Sequence, residues 1–553
     1  MAMINLKEAA SRFDFEKVIP KANDWVQATV DYEGRGAAEL RYPKATIAGP
    51  FTARFDEEGT SQIETVFDNI FPHDPGYDGP PIALLCGATK TQSGWGFGGM
   101  DNPCESLSFE TDQGLFMSTG KIDWAGMNFG TQPTRLRFAV REGKLETKNA
   151  SPAKFFAVPL VNCVAELSNY LSGDHPLRIY PTPALPEDVP EDLKSLARMT
   201  ANQKNSVLGF SIEGNLFFIE RLSDYDARAA SLRSGATRRK ITAVLVGEVG
   251  ASPTGTLAEL RSWFPFDILS ALSFASGSEV GFPWIEIRDE EGALIRRLHG
   301  GARMPSFFEG DDVFGKFSRP GAGEFITRFM ALPRERRRLL QVVMNHALVG
   351  SLGPHLFLYD IVDHLVRALD TLCRGHGLMQ QNLCAGLTSA AQDAVKSITA
   401  DTTSRLRQLA DGASQAGNLS DYRLLKRIEG RAANMGNSEN MLGLAAVDLL
   451  RKWGFPDVQI IDKVLVQAGR PDWAHLISAY RNDTLHEGHL DFENKHDAAE
   501  VARVCAHLKD ALTRCLLKEC GYSGTYESVL RSSYGPQNVD WVTPITDSKT
   551  LGF

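Results

Sequence analysis

Eight cysteines in 553 residues are too few for a disulfide scaffold. They stand at 86, 104, 163, 373, 384, 505, 515 and 520, with no Cys-x2-Cys pair among them. A zinc site built from paired cysteines is therefore not expected, and a reducing, cytoplasmic compartment fits. Long apolar runs are equally scarce. The stretch from Phe266 to Trp284 comes nearest, but Asp267, Glu279 and several Ser and Gly break it, so no membrane span is expected. The first residues, Met1-Ala2-Met3-Ile4-Asn5-Leu6-Lys7-Glu8, lack the apolar core of a secretory signal. Positive charge is not in excess either: 59 Lys and Arg against 68 Asp and Glu leave a net charge of −9. Bulk attraction to phosphate is thereby excluded, and any binding of nucleic acid must come from a local patch.

What is present is ordinary for a globular chain, with 43% hydrophobic and 23% charged residues. Wholesale disorder, collagen-like repeats and a coiled-coil rod are ruled out, and the length predicts roughly two to four domains. There is no internal repeat and no low-complexity tract.

The fold class expected is α+β, in two parts. Residues 1–330 read as a β-rich, sandwich- or jelly-roll-like region, because short β-branched and aromatic runs alternate with Gly, Pro and Asp turns. Examples are Trp25 to Val30, Ile82 to Leu85, Leu136 to Val140, Phe155 to Val158, Val207 to Ile212, Leu216 to Ile219 and Ile241 to Val246. Trp284 to Arg288, a turn at Asp289 to Gly292, and Ala293 to Ile295 read as a hairpin. Prolines 181, 183, 186 and 190 interrupt the series, either between two subdomains with a break near 170–200 or as one long loop. Gly310 to Gly323 resembles a linker. Residues 331–520 then carry helical periodicity. One helix follows Pro333, and a second runs from about Pro354 to Cys373 with Leu358, Ile361, Val362, Leu365, Leu369 and Leu372 on one stripe. Further helices are expected near 388–411, 421–435, 439–453, 457–468, 471–487 and 497–519, with an extended tail over 521–553.

Four motifs bear on chemistry. Gly94-Trp95-Gly96-Phe97-Gly98-Gly99 formally matches Gly-x-Gly-x-x-Gly, but Asp101, Asn102 and Pro103 follow where the phosphate-binding version needs a helix. A loop bearing Trp95 and Phe97 is the expectation. Arg334, Arg336, Arg337 and Arg338 lead a helix, where positive charge opposes the macrodipole. The run is either a solvated face or a phosphate contact. Arg238-Arg239-Lys240 opens a strand and is expected at its solvated end.

The fourth motif is the segment from Pro471 to Gly488. Pro471 and Asp472 suit a helix start and Gly488 a stop. Trp473, Leu476, Ile477, Tyr480 and Thr484 form one stripe for the core. On a straight helix Arg481 lies about 80° to one side of it and His486 about 140° to the other, so packing requires neither. The bland alternatives are a surface salt bridge from Arg481 to Asp363 or Asp370, and a C-terminal helix cation at His486. His486 and His489 alone would make a weak metal site. His346, His355, His364, His376 and His507 are expected as core or surface residues of the bundle.

Arg481-Asn482, three residues, then His486 resembles the Arg-polar-x3-His motif of HEPN-domain ribonucleases. A β-rich region followed by a helical one is similar to the layout of the ApeA-type anti-phage members, and the helix bearing Asp363, Arg367 and Asp370 resembles the earlier helix that brings a carboxylate near the motif. The resemblance covers 335–520 in its motifs and 1–330 in layout alone. It implies a metal-independent endoribonuclease, without cofactor, that cuts tRNA or other RNA during abortive infection. It also implies His486 as general acid or base, Arg481 as phosphate clamp and Asn482 as the orienting side chain. Its partners would be RNA, a second copy of the chain in a homodimer, and a phage-derived trigger held by the N-terminal region. The competing expectation is a non-catalytic bundle serving dimerisation or binding of RNA or another ligand. A hydrolase in the N-terminal half is weaker still, since no Gly-x-Ser-x-Gly elbow occurs there.

Overall fold

The structure is a computed structural model. It describes residues 25–40, 45–58, 61–67, 88–91, 94–97, 104–118, 122–128, 134–140, 142–164, 207–212, 215–222, 224–248, 265–300, 304–314, 320–350, 356–380, 387–433, 442–454, 473–484, 490, 497–530 and 537–540. Two compact units emerge, 1–333 with 524–527, and 334–523 with 528–553. A large antiparallel sheet dominates the first and helices make up the second, so the α+β class holds.

The N-terminal unit carries β1 (Thr29–Leu40), β2 (Ala45–Asp56), β3 (Ser61–Phe67), β4 (Ala88–Thr91), β5 (Gly94–Phe97), β6 (Cys104–Thr111), β7 (Gly114–Ser118) and β8 (Ile122–Asn128). Then follow β9 (Thr134–Val140), β10 (Glu142–Thr147), β11 (Phe155–Val161), β12 (Val207–Ile212), β13 (Asn215–Arg221), β14 (Ile241–Glu248), β15 (Ile285–Arg288) and β16 (Leu294–Gly300). The expectation was a sandwich- or jelly-roll-like region; among the described residues 14 strands join in one hydrogen-bonded sheet in the order β1-β2-β3-β9-β8-β6-β7-β10-β16-β15-β11-β14-β13-β12. Because β1 also pairs with β6, the first six strands in that order close into a ring. Closure leaves those strands without a free edge, as a barrel does. Gly34 and Gly36 explain why β1 can take this part. A Cβ on Gly34 would lie 1.8 Å from the carbonyl oxygen of Glu110, and one on Gly36 2.0 Å from that of Ser108. Only glycine admits so close an approach of β6.

Alternation and continuity of apolar residues sort the strands. In β7 Phe116 points inward while Leu115 is exposed, the period of two for a sheet with one wet face. In β11 all seven residues are buried, so its unbroken Phe155 to Val161 run marks a strand covered on both sides. The ring interior is aromatic: Phe51 stacks on Phe109 at 5.8 Å, and Phe109 meets Phe116 at 5.0 Å. Each such ring pair adds roughly 0.5–1.5 kcal/mol beyond its burial.

Among the described residues this unit carries three helices: α1 (Tyr225–Arg233), α2 (Pro265–Ser276) and α3 (Pro320–Met330). The sequence reading missed α1 and α2, and α3 takes up the last four residues of the expected linker, 320–323, while 310–314 carry no helix or strand. Pro320 opens α3 as proline does at a first turn, and Ala322, Phe325, Ile326 and Phe329 give it a buried face that outweighs Gly321 and Gly323. Other differences are small. The strand expected from Trp25 begins at Thr29, and Gly94–Phe97 pairs with Ala88–Thr91 as a strand rather than a loop. Residues 82–85, the prolines at 181–190, the helix at 457–468 and the tail beyond 540 lie outside the described residues.

The helical unit contains α4 (Arg334–Val349), α5 (Leu358–Gly375), a short 3-10 turn (Leu378–Gln380), α6 (Ser389–Gln415), α7 (Leu419–Ala433), α8 (Leu442–Lys452), α9 (Trp473–Asn482) and α10 (Ala498–Glu519). α5 is its centre and touches α4, α8, α9 and α10. Val362, Leu365, Leu369 and Leu372 are buried as their spacing requires. α6 and α7 form an antiparallel hairpin. Thr388 caps α6 through Oγ1, which accepts from the backbone N–H of Ala391, and Gly417 (φ +72°) turns the chain into α7.

Candidate active site on helix α9

Helix α9 is laid down by its buried stripe. Ile477 and Tyr480 are sealed against neighbouring helices, and Ser478 Oγ accepts from the backbone N–H of Gly443 at 3.1 Å, which ties α9 to the start of α8. Regular α-winding ends at Asn482. Residues 483 and 484 continue in a wider π-type turn, where Thr484 Oγ1 donates to the carbonyl of Tyr480 at 2.8 Å. Such single-turn departures concentrate at functional sites. Beyond 484 the helix expected to 487, and with it the angle between Arg481 and His486, falls outside the described residues. His486, His489, Gly488, Pro471 and Asp472 lie outside the described residues.

Arg481 and Asn482 are both off the buried stripe: Asn482 is exposed and Arg481 half-buried. Arg481 meets Asp370 of α5, one of the two carboxylates singled out by sequence, with Nε 3.5 Å from Oδ1. That is an ion pair without a hydrogen bond. Both atoms are shielded from solvent and neither has a hydrogen-bond partner. The rest of Asp370 is occupied, since Oδ2 accepts from Arg374 Nε at 2.6 Å. One helical repeat earlier Asp363 repeats the pattern: Oδ2 accepts from Arg367 Nε at 2.6 Å, while Oδ1 is buried without a hydrogen bond. Seven residues are close to two full turns, so Asp363 and Asp370 share one face of α5. The arrangement holds a guanidinium at the border of the bundle, charge-compensated yet not saturated. An anion with matching oxygens could compete with Asp370 for it.

Parts of the other basic clusters are braced within the fold, while Arg334, Arg338 and Arg238 are exposed. Arg336 and His376 both reach the buried carboxylate of Glu519, and Lys452 Nζ approaches His376 Nδ1 at 2.8 Å. The hydrogen bonds from His376 and Arg336 hold the Glu519 carboxyl below its usual range despite burial. Within the Arg334 to Arg338 run, Arg336 is thus a brace rather than a phosphate contact, which accounts for a positive residue where the macrodipole disfavours it. In the N-terminal unit Lys240 is not at a solvated strand end. Its Nζ lies 2.5 Å from Oε1 of the buried Glu57, whose Oε2 pairs with Arg228 at 3.1 Å. Arg239 Nε donates to the carbonyl of Met304 at 2.9 Å.

Sequence reasoning did not find the polar chain inside the N-terminal unit. Glu286 accepts from Arg297 and Arg288, Arg297 Nη1 donates to the Tyr32 hydroxyl at 3.0 Å, and that hydroxyl lies 2.8 Å from His299 Nε2. Burial, aided by Arg297, holds His299 well below the usual histidine range, so it is neutral. The alternation of β15 and β16 could have signalled it: Glu286 and Arg288 share one face of β15, Arg297 and His299 one face of β16, and Ile285, Ile287 and Leu298 take the opposite face. Each partner is enclosed, so this is internal bracing. The described cysteines 163, 373, 505, 515 and 520 are free and buried. Burial pushes the Cys163 thiol up to about 12 and raises the other four as well, which makes poor nucleophiles of all five. Among the described residues no helix is long and apolar enough to cross a membrane. No protein-family model, curated protein or solved structure matches the chain.

Proposed function

We propose that the chain is a metal-independent endoribonuclease of HEPN type, acting in anti-phage defence, with Arg481, Asn482 and His486 as its site. The observation that carries this reading is the Arg481–Asp370 pair. Nε of Arg481 stands 3.5 Å from Oδ1 of Asp370, and neither atom has a hydrogen-bond partner, so the pair is charge-compensated without being closed. A guanidinium held in that way is available to a phosphate.

In the proposed reaction the 2′-oxygen of RNA attacks the adjacent phosphorus and the bond to the 5′-oxygen breaks. A base takes the 2′-hydroxyl proton and an acid returns one to the leaving oxygen. His486 serves one of these steps, since imidazole is the side chain best suited to acid–base work near neutral pH. Arg481 neutralises charge on the phosphorane, and Asn482 orients the phosphate or the imidazole. The products are a 2′,3′-cyclic phosphate and a 5′-hydroxyl. Two copies of the motif meeting across a two-fold axis would supply both acid and base, and such symmetry is the commonest among oligomers. The N-terminal unit would hold the trigger that releases the activity. A net charge of −9 suits an enzyme that must not bind RNA indiscriminately.

The test is cleavage of total RNA by the purified chain in EDTA, alone and with extract from phage-infected cells. The expected result is cleavage by the wild type and a loss of about 10²–10⁴-fold in His486→Ala. Equal cleavage by both, or none by either under both conditions, ends this reading. A second reading, a non-catalytic bundle that binds RNA or another ligand, uses the same ion pair as a structural tie. It expects Arg481→Ala to alter affinity with no chemical product.

A further inference from the structure

We propose that His346 and His364 form a two-imidazole site for a divalent transition-metal ion such as Zn²⁺, separate from the Arg481 site. His346 sits in the last turn of α4 and His364 in the second turn of α5, and the two helices pack side by side. Their Nδ1 atoms are 3.0 Å apart, and the ring centres 5.2 Å. An ion with metal–nitrogen bonds of about 2.0–2.1 Å spans two donors about 2.9 Å apart at a right angle and about 3.4 Å apart at the tetrahedral angle. The observed separation falls between those limits. Imidazole is the preferred nitrogen ligand of Zn²⁺, Cu²⁺ and Ni²⁺.

Without metal, one ring donates its Nδ1–H to the other Nδ1. Binding requires that this ring carry its proton on Nε2 and that both Nδ1 lone pairs turn toward the ion. The surrounding charges are mixed. Asp363 acts on both rings and Asp360 on His364, each favouring a cation, while Arg367 opposes one. Arg367 is in turn bound to Asp363 at 2.6 Å, which limits its opposition. Among the described residues no third His, Cys, Asp or Glu completes the set. Water would fill the remaining positions, and both rings are only half-buried, so the site is open to exchange. His364 and Asp370 are six residues apart on α5, or about 240° around it, so the metal would not touch the Arg481 pair.

The test uses the full chain, stripped with EDTA and dialysed, titrated with Zn²⁺ against a chromogenic chelator. Saturable one-to-one binding is expected, weakened by about tenfold or more in His346→Asn and in His364→Asn. Unchanged affinity in both variants, or no binding by the wild type, overturns the proposal. Should the variants fail to fold, the wild type suffices. Cu²⁺ with ascorbate oxidises side chains that ligate the ion, and peptide mass spectrometry should find the oxidation at His346 and His364. Oxidation confined to other histidines overturns the proposal equally. RNA cleavage in EDTA is untouched by either outcome, so this proposal and the ribonuclease reading fail separately.

Discussion

Glu286 in the N-terminal unit and Asp370 in the helical unit each face two arginines, yet they are satisfied differently. Both oxygens of Glu286 are hydrogen-bonded, Oε1 to Arg297 Nε at 2.8 Å and Oε2 to Arg288 Nε at 2.8 Å, and its side chain is 1% exposed. Asp370 is 21% exposed, gives Oδ2 to Arg374, and leaves Oδ1 facing Arg481 at 3.5 Å without a hydrogen bond. A buried charge survives only if its lone pairs are filled, because desolvation costs several kcal/mol per ion. Glu286 meets that demand and thereby locks β15 to β16. Asp370 sits at the bundle surface, where water relieves part of the cost, and so can hold an arginine loosely. Glu286 is saturated in the interior of one unit, and Asp370 is only partly hydrogen-bonded at the border of the other.

The sharpest way to break this contrast is Glu286→Ala. It strands Arg288 and Arg297 inside the sheet and is expected to cost about 3–5 kcal/mol in urea unfolding. A loss below about 1 kcal/mol would show that the network is not bracing. Arg481→Ala should behave oppositely. Unfolding should shift by less than about 1 kcal/mol, as for partly exposed pairs, while RNA cleavage falls by about 10²–10³-fold. A large stability loss with unchanged cleavage would turn Arg481 into a second Glu286.

The smallest effect is with pH. His299 is held neutral in the folded state, whereas in the unfolded chain it titrates near 6.5. Below that pH the unfolded state takes up a proton that the folded state refuses. The stability His299 contributes is therefore complete above about 6.5 and is lost as pH falls, by up to about 1.4 kcal/mol per unit. Unfolding midpoints at pH 7.5 and 5.5 check this; a midpoint that does not fall toward acid contradicts it.

The sequence made much of this legible for identifiable reasons. Runs such as Phe155 to Val161 and Ile241 to Val246 show as strands because burial on both faces leaves no polar residue in them. α5 shows because Val362, Leu365, Leu369 and Leu372 repeat at helical spacing. The closed ring of strands was not legible, since β1 pairing with both β2 and β6 is a contact between distant segments that leaves no local trace beyond Gly34 and Gly36. α2 was missed because a helix with every face buried has no amphipathic period. At the site, Asp370 was visible as one of two possible partners of Arg481, and the fold chose between them. The Arg334 to Arg338 run was ambiguous because its partner for Arg336, Glu519, lies far along the chain.

The most direct measurement is of the ends left on cleaved RNA. In EDTA, the wild-type chain should generate 2′,3′-cyclic phosphate and 5′-hydroxyl termini, and Arg481→Ala and His486→Ala should generate neither. Fragments ending in 3′-hydroxyl and 5′-phosphate, or cyclic-phosphate ends produced equally by the variants, would contradict the account.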